Sequence, residues 1–127
     1  ERRYAGEWKS MTSGQEMNVE VAKHDETVVA SPVGEIDLAR SPSLRSRLAE
    51  VLKEKPSRLI IDLAQVPYMD SSGVATLVEA LQQSRSKNCT LILAGMQDRV
   101  RSVFEIARLD TVFTIVADTD SAMQEGS

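Results

Sequence analysis

Hydrophobic residues recur along this chain with two alternating periods, and the alternation predicts its elements. Met17, Val19 and Val21 alternate with Asn18, Glu20 and Ala22, the period-two pattern of a half-buried strand. His24-Asp25-Glu26 reads as a tight turn into a second strand over Thr27 to Val33, so the pair is an antiparallel hairpin. Pro32 has no N–H to give a ladder, which predicts an edge position or a bulge. Gly34-Glu35-Ile36-Asp37 reads as a loop. Ser41 is expected to cap a helix with Pro42 at its first position. Leu44, Leu48, Val51 and Leu52 make the helix's buried stripe, Arg45, Arg47, Glu50, Lys53 and Glu54 its wet side, and Pro56 its stop.

The next run, Leu59 to Leu63, has the length and unbroken apolar character of a strand buried on both faces. Val74, Leu77, Val78 and Leu81 then follow i, i+3, i+4, i+7 spacing, predicting an amphipathic helix from Ser72 to Ser86 that stops at Lys87-Asn88. Thr90 to Ala94 is a further apolar strand. Gly95 opens a turn into a helix over Gln97 to Arg108, packed through Val100, Val103, Phe104 and Ala107. Val112 to Val116 is a short fifth strand, and Asp118 to Glu125 a final helical turn capped by Asp118 or Thr119. The order β-β-α-β-α-β-α-β-α defines an α/β domain with a mixed four- to five-stranded sheet. Helical crossovers make the later strands parallel, and the hairpin adds an antiparallel one.

Sheets of this kind place their sites in loops at the carboxyl ends of the parallel strands. Asp70-Ser71-Ser72-Gly73 falls in such a loop, three N-capping side chains in a row followed by glycine. A hydroxyl there faces the positive end of the helix dipole beside backbone N–H groups without helical partners, a place that receives an anion. Plain helix capping explains the same residues, and the two roles are compatible, since one serine can cap while the other accepts a phosphate.

Composition narrows the chemistry. The 127 residues are 42% hydrophobic and 27% charged, enough for one domain with a core of its own. Residues 1–16, with Tyr4 and Trp8 four apart in a mixed-charge stretch, read as a tail, and residues 17–127 as the domain. A net charge of −4 argues against a nucleic-acid surface. One cysteine, Cys89, and one histidine, His24, furnish neither a disulfide nor a thiolate/imidazole metal site, so no metal or other cofactor is expected. No stretch approaches the roughly 20 apolar residues of a membrane span, and no apolar signal-peptide core opens the chain; a cytoplasmic protein is expected. Arg99, Arg101 and Arg108 give the third helix a basic side, either solvated or steering an acidic partner, and Met69 is assigned to the core. Asn88-Cys89-Thr90 matches a glycosylation acceptor by chance, because it leads into a buried strand.

Catalysis is not expected. No Gly-x-Ser-x-Gly elbow is present, His24 lies in a hairpin turn, and Lys53 and Lys87 sit at far helix ends. Phosphate on Asp70 would call for carboxylates clustered around Mg²⁺, and only Asp37 is a plausible companion.

Met69-Asp70-Ser71-Ser72-Gly73-Val74, behind the strand Leu59-Ile60-Ile61-Asp62-Leu63, resembles the phosphorylation motif of the anti-sigma factor antagonists, small bacterial STAS-domain proteins. Gly34-Glu35-Ile36-Asp37 is similar to that family's Gly-Glu-Leu/Ile-Asp loop. Val74 stands where leucine is usual, and Leu109-Asp110 lacks a Ser-Gly often found before the last strand. The resemblance implies a STAS-like fold and a partner switch. The unphosphorylated protein binds an anti-sigma factor that is also a GHKL-type serine kinase, and a sigma factor is freed. Phosphorylation releases the antagonist, and a PP2C-type phosphatase restores it. By position the acceptor is Ser71, with Ser72 the second choice. Asp37, Asp70, Ser72, Gly73 and Thr76 are the implied site-supporting and partner-binding residues. Gly73 is expected to leave room for the kinase to approach. The alternative on the same fold is a regulatory subunit of a transporter or a stress-signalling scaffold.

Overall fold

The computed structural model describes residues 16–125. Tyr4, Trp8 and the rest of the expected tail apart from Glu16 lie outside the described residues. Five strands form one sheet in chain order: β1 (Asn18–His24), β2 (Thr27–Val33), β3 (Arg58–Asp62), β4 (Thr90–Ala94) and β5 (Thr114–Val116). β1 and β2 are the antiparallel hairpin, and every later pairing is parallel. The connecting helices are α1 (Ser41–Lys53), α2 (Ser71–Ser86) and α3 (Asp98–Ile106), and α4 (Thr119–Gln124) follows β5.

Alternation within the strands sorts side chains into two layers. Val28, Ala30, Leu59, Ile61, Leu91 and Leu93 join a large cluster with Leu44, Leu48 and Leu52 of α1, Leu77 and Leu81 of α2, and Val100 and Phe104 of α3. Their neighbours Ile60, Ile92 and Ala94 turn to the opposite side and pack with Ala122 of α4. β3 and β4 are therefore buried on both faces, which is why their sequences are unbroken apolar runs.

Several expectations shift. β2 is interior to the sheet and β1 is the edge, yet β2 pairs with β3 only from Thr27 to Ala30. Pro32 lies past that point, opposite Val19 of β1, where the strand has a partner on one side alone. Ser41 does not cap α1. The N-cap position is Arg40, without a side-chain capping bond, and Asp37 closes the turn before it, its Oδ1 accepting from the Arg40 N–H at 3.0 Å and its carbonyl from the Ser41 N–H at 2.9 Å. α3 ends at Ile106, leaving Ala107 exposed; Arg108 adopts a left-handed conformation (φ 63°) and leads into a 3₁₀ turn, Leu109–Thr111. That reversal seats Phe113 edge-on against Phe104, ring centroids 5.5 Å apart, and shortens β5 to Thr114–Val116.

Ile36 and Met69, both assigned by sequence to segments without strand character of their own, form an isolated parallel bridge beyond the ends of β2 and β3. Gly34 N–H donates to the Gln65 carbonyl (2.9 Å), Ile36 N–H to Tyr68 (3.0 Å), and Asp70 N–H back to Ile36 (3.1 Å). Two loops are thus zipped together by main-chain bonds, with Ile36 and Met69 buried beneath them.

Candidate functional site

The site stands on that zipper. Asp70 follows the bridge directly in extended conformation (φ −98°, ψ −173°), the geometry of an N-cap. Its Oδ1 accepts from the N–H of Ser72 at 2.9 Å and of Gly73 at 3.3 Å. The Ser72 hydroxyl donates to the same oxygen at 2.5 Å. The Ser72 hydroxyl, assisted by the backbone N–H groups of Gly73, Ser72 and Leu38, holds the Asp70 carboxyl below the usual carboxylate range against a smaller opposing effect of burial. Asp70 is therefore a carboxylate at neutral pH, and its charge faces the positive end of α2.

Ser71 and Ser72, adjacent in sequence, are placed very differently. Ser71 is the first residue of α2 and is exposed, with no side-chain hydrogen bond among the described residues. Ser72 is half-buried, and its Oγ lies 2.8 Å from the Oγ of Ser41 as well as 2.5 Å from Asp70. Ser41 is itself buried, 2% exposed, and its hydroxyl donates to the Asp37 carbonyl at 2.7 Å. A continuous polar path thus runs from Asp70 through Ser72 and Ser41 to Asp37. It joins the start of α2 to the start of α1.

Asp37 is brought to the site through this path, while its carboxylate turns onto Arg40, Oδ2 to Nη1 3.3 Å. Gly73 and Thr76 occupy the inner side of α2. A Cβ on Gly73 would stand 2.5 Å from Met69 Cγ and 2.7 Å from Ile36 Cγ2. The glycine is there so that α2 can press onto the Ile36–Met69 bridge, and the expectation that it clears a path for a kinase is corrected accordingly. Thr76 is 1% exposed and its hydroxyl donates to the Ser72 carbonyl at 2.9 Å. It steadies the first turn of α2 from inside and is too deep to touch a docked partner.

Near the junction lie two exposed apolar groups that sequence reading passed over, Leu38 and Tyr68, and Arg99, which the sequence places on the basic side of the third helix. Leu38 is 76% exposed, and its main chain borders the Asp70 carboxylate. Tyr68 is partly exposed, with the Arg99 guanidinium 5.9 Å from its ring centroid. Gln97 Nε2 donates to the Ala64 carbonyl at 2.8 Å and ties the start of α3 to the loop that carries Tyr68. Ser41 was also missed as a site residue. The available signal was that Asp37 and Ser41 are both cap formers, four apart, and one helix start needs only one of them.

The STAS domain family model matches residues 18–122, and the chain belongs to that family. The anti-sigma-B factor antagonist of Bacillus subtilis (strain 168) is 30% identical over 108 residues, which span 85% of this chain and 98% of the relative. Among solved structures, an anti-sigma factor antagonist from Mycobacterium paratuberculosis matches with a TM-score of 0.79 at 24% identity, covering 87% of this chain and 93% of its own. A sulfate transporter family protein from Wolinella succinogenes matches with a TM-score of 0.68 at 20% identity, over 80% and 84% of the two chains. The fold alone is thus common to antagonists and transporter proteins.

Proposed function

We propose that this chain is an anti-sigma factor antagonist whose hold on an anti-sigma factor is switched by phosphorylation of Ser71. The observation that carries the reading is its relationship to the Bacillus subtilis antagonist along 98% of that protein. The open Ser71 hydroxyl at the start of α2 supports the choice of acceptor. The unphosphorylated chain docks on an anti-sigma factor of GHKL kinase type, and the sigma factor is freed. ATP then supplies the phosphoryl group. The Ser71 Oγ–P bond forms as the bond from the γ-phosphorus to the bridging oxygen breaks, ADP leaves, and the hydroxyl proton passes to a base on the kinase. A PP2C-type phosphatase reverses the change by hydrolysis. The chain is substrate and ligand in this cycle and not the catalyst.

The physical basis of the switch is the double effect of one dianion. Phosphoserine carries about −1.5 to −2 charges at neutral pH. At the first residue of α2 the helix dipole and free N–H groups favour it, so the fold tolerates it. Under a docked partner the same charge is desolvated beside the Asp70 carboxylate. A thousandfold loss of affinity corresponds to about 4 kcal/mol, within reach of one buried, unmatched charge. Asp37, its carboxylate turned onto Arg40, adds less to this repulsion than Asp70 does. The domain of residues 17–127 carries the function, the tail of residues 1–16 stands outside it, and the cycle belongs in the cytoplasm where sigma factors act. No helix among the described residues is long and apolar enough to cross a membrane.

The test is a titration of the purified chain against its cognate anti-sigma kinase, read by fluorescence anisotropy before and after stoichiometric phosphorylation. Binding that is lost on phosphorylation is the expected result. Unchanged affinity of the phosphorylated form overturns the switch, and binding to a transporter subunit in place of the kinase moves the chain to the transporter-associated branch of the fold.

A further inference from the structure

We propose that Ser41 determines which of the two adjacent serines accepts phosphate, by holding the Ser72 hydroxyl in the Asp70–Ser72–Ser41–Asp37 path and withholding it from phosphoryl transfer. The inference rests on the reading of this junction as a kinase substrate and adds to it a positioning residue from another helix.

Ser71 and Ser72 are chemically identical and adjacent, so a kinase that reaches one has the other within a few ångströms. Attack on a γ-phosphorus requires an oxygen with a lone pair directed at phosphorus in a near-attack geometry, about 3–3.5 Å away. The Ser72 Oγ has neither freedom. It stands 2.5 Å from Asp70 Oδ1 and 2.8 Å from Ser41 Oγ, and Ser41 Oγ stands 2.7 Å from the Asp37 carbonyl. These three contacts share only two hydroxyl protons, because Asp70 as a carboxylate and Asp37 through its carbonyl are acceptors alone. Ser72 gives its own proton to Asp70, so among the described residues the Ser41 proton, shared between the Asp37 carbonyl and the Ser72 Oγ, is the one left to serve the 2.8 Å contact. Turning Ser72 outward would break its bond to the Asp70 carboxylate and give up the contact with the Ser41 hydroxyl, which is 2% exposed and has no solvent to replace it. Ser71 carries no such ties among the described residues and is exposed. Asp70 alone cannot impose this difference, since a carboxylate beside a serine can also serve as the base that activates it.

The experiment is phosphorylation of the full chain by the cognate kinase with ATP, with phosphate localised by fragment mass spectrometry. Wild type, Ser71→Ala, and the double variant Ser41→Ala/Ser71→Ala are compared. The expected result is label on Ser71 in wild type, almost none in Ser71→Ala, and labelling of Ser72 in the double variant raised about tenfold, the factor for release of one hydrogen bond. Ser41→Ala alone, labelled on Ser71 at the wild-type rate, shows that the fold and the kinase contact survive. Should that variant fail to fold, Ser41→Cys/Ser71→Ala keeps the side-chain volume while weakening the bond. A double variant as unreactive as Ser71→Ala overturns the role of Ser41, and so does a Ser71→Ala chain already labelled on Ser72 at the wild-type rate. Absence of label on wild type fails the substrate reading itself, and the role of Ser41 falls with it.

Discussion

The main chain of Gly73 lies so close to Met69 that a Cβ on the glycine would stand 2.5 Å from the methionine Cγ, with Ile36 Cγ2 only 2.7 Å away. Gly73→Ala therefore sets two effects against each other. Alanine is a better helix former than glycine by about 1 kcal/mol in a helix interior, and by less in a first turn. Overpacking against buried neighbours costs about 1–3 kcal/mol, and Ile36 is pinned in the bridge and cannot give. Overpacking wins, and the variant is expected to be destabilised by about 1–2 kcal/mol, measured by urea denaturation. Retained stability with blocked phosphorylation would instead mean that the glycine serves the kinase and not the core.

Ser71→Asp separates the fold from the switch. The side chain at 71 is exposed and makes no hydrogen bond among the described residues, so its replacement disturbs no packing. A carboxylate at the first turn gains about 0.3–1 kcal/mol from the dipole and loses a similar amount to Asp70 next to it. The melting temperature is expected to stay within a few degrees of wild type while anti-sigma factor binding falls at least tenfold in the same buffer. Calorimetry and anisotropy on one preparation decide it, and a parallel loss of stability would assign the effect to unfolding.

The element order was legible because it rests on long stretches of regular periodicity. Leu59 to Leu63 and Thr90 to Ala94 could hardly be anything but strands, and Val74, Leu77, Val78 and Leu81 mark a helix face. The Asp-Ser-Ser-Gly junction was legible as a helix start for the same reason. The footing beneath it was not. Ile36 and Met69 make a single bridge, and one paired residue has no period to detect, so Ile36 read as loop although it is buried. Ser41 read as a cap because serine before proline is a common start. Only the folded chain shows that Asp37 closes the turn before α1, and that the Ser41 hydroxyl, donating to the Asp37 carbonyl, lies 2.8 Å from the Ser72 Oγ. Helix ends depend on competition among neighbours, which is why α3 stops at Ile106 and Arg108 turns left-handed where periodicity alone predicted more helix.

The Asp70 carboxyl, depressed mainly by the Ser72 hydroxyl, links the site to pH. A group whose pKa is lower in the folded than in the unfolded chain stabilises the fold above the unfolded value. That contribution is lost as pH falls through the folded one. It is therefore complete at neutral pH, declines below about pH 4, and disappears once Asp70 protonates in both states. Asp70→Asn keeps a competent cap without the charge. Wild type is expected to be the more stable at pH 7, with the gap closing below pH 4. Asp118, which caps α4 through the Ser121 N–H, is depressed in the same sense, so the difference between wild type and variant at each pH isolates Asp70. Urea midpoints across pH 3 to 7 provide the measurement, and a gap constant with pH would show that the charge contributes nothing.

Leu38 supplies a last test, of where the partner sits. Its side chain is 76% exposed while its main chain borders the Asp70 carboxylate, and Ile106, 84% exposed, stands at the far end of α3. α3 is the crossover from the carboxyl end of β4 back to the amino end of parallel β5, so Ile106, its last residue, lies toward the end of the sheet away from the carboxyl-end loops that hold the site. An exposed leucine contributes nothing to the fold but gains about 1.5–3 kcal/mol if docking buries it. Leu38→Ser is accordingly expected to weaken anti-sigma factor binding about tenfold or more, and Ile106→Ser to leave it unchanged. Neither should alter the melting temperature. A partner centred on Ser71 and the Asp70 carboxylate meets Leu38 before it meets Ile106. If the two variants bind alike, or if Ile106→Ser alone is impaired, the docking face lies elsewhere, and phosphate at Ser71 would have to act at a distance and not by direct repulsion.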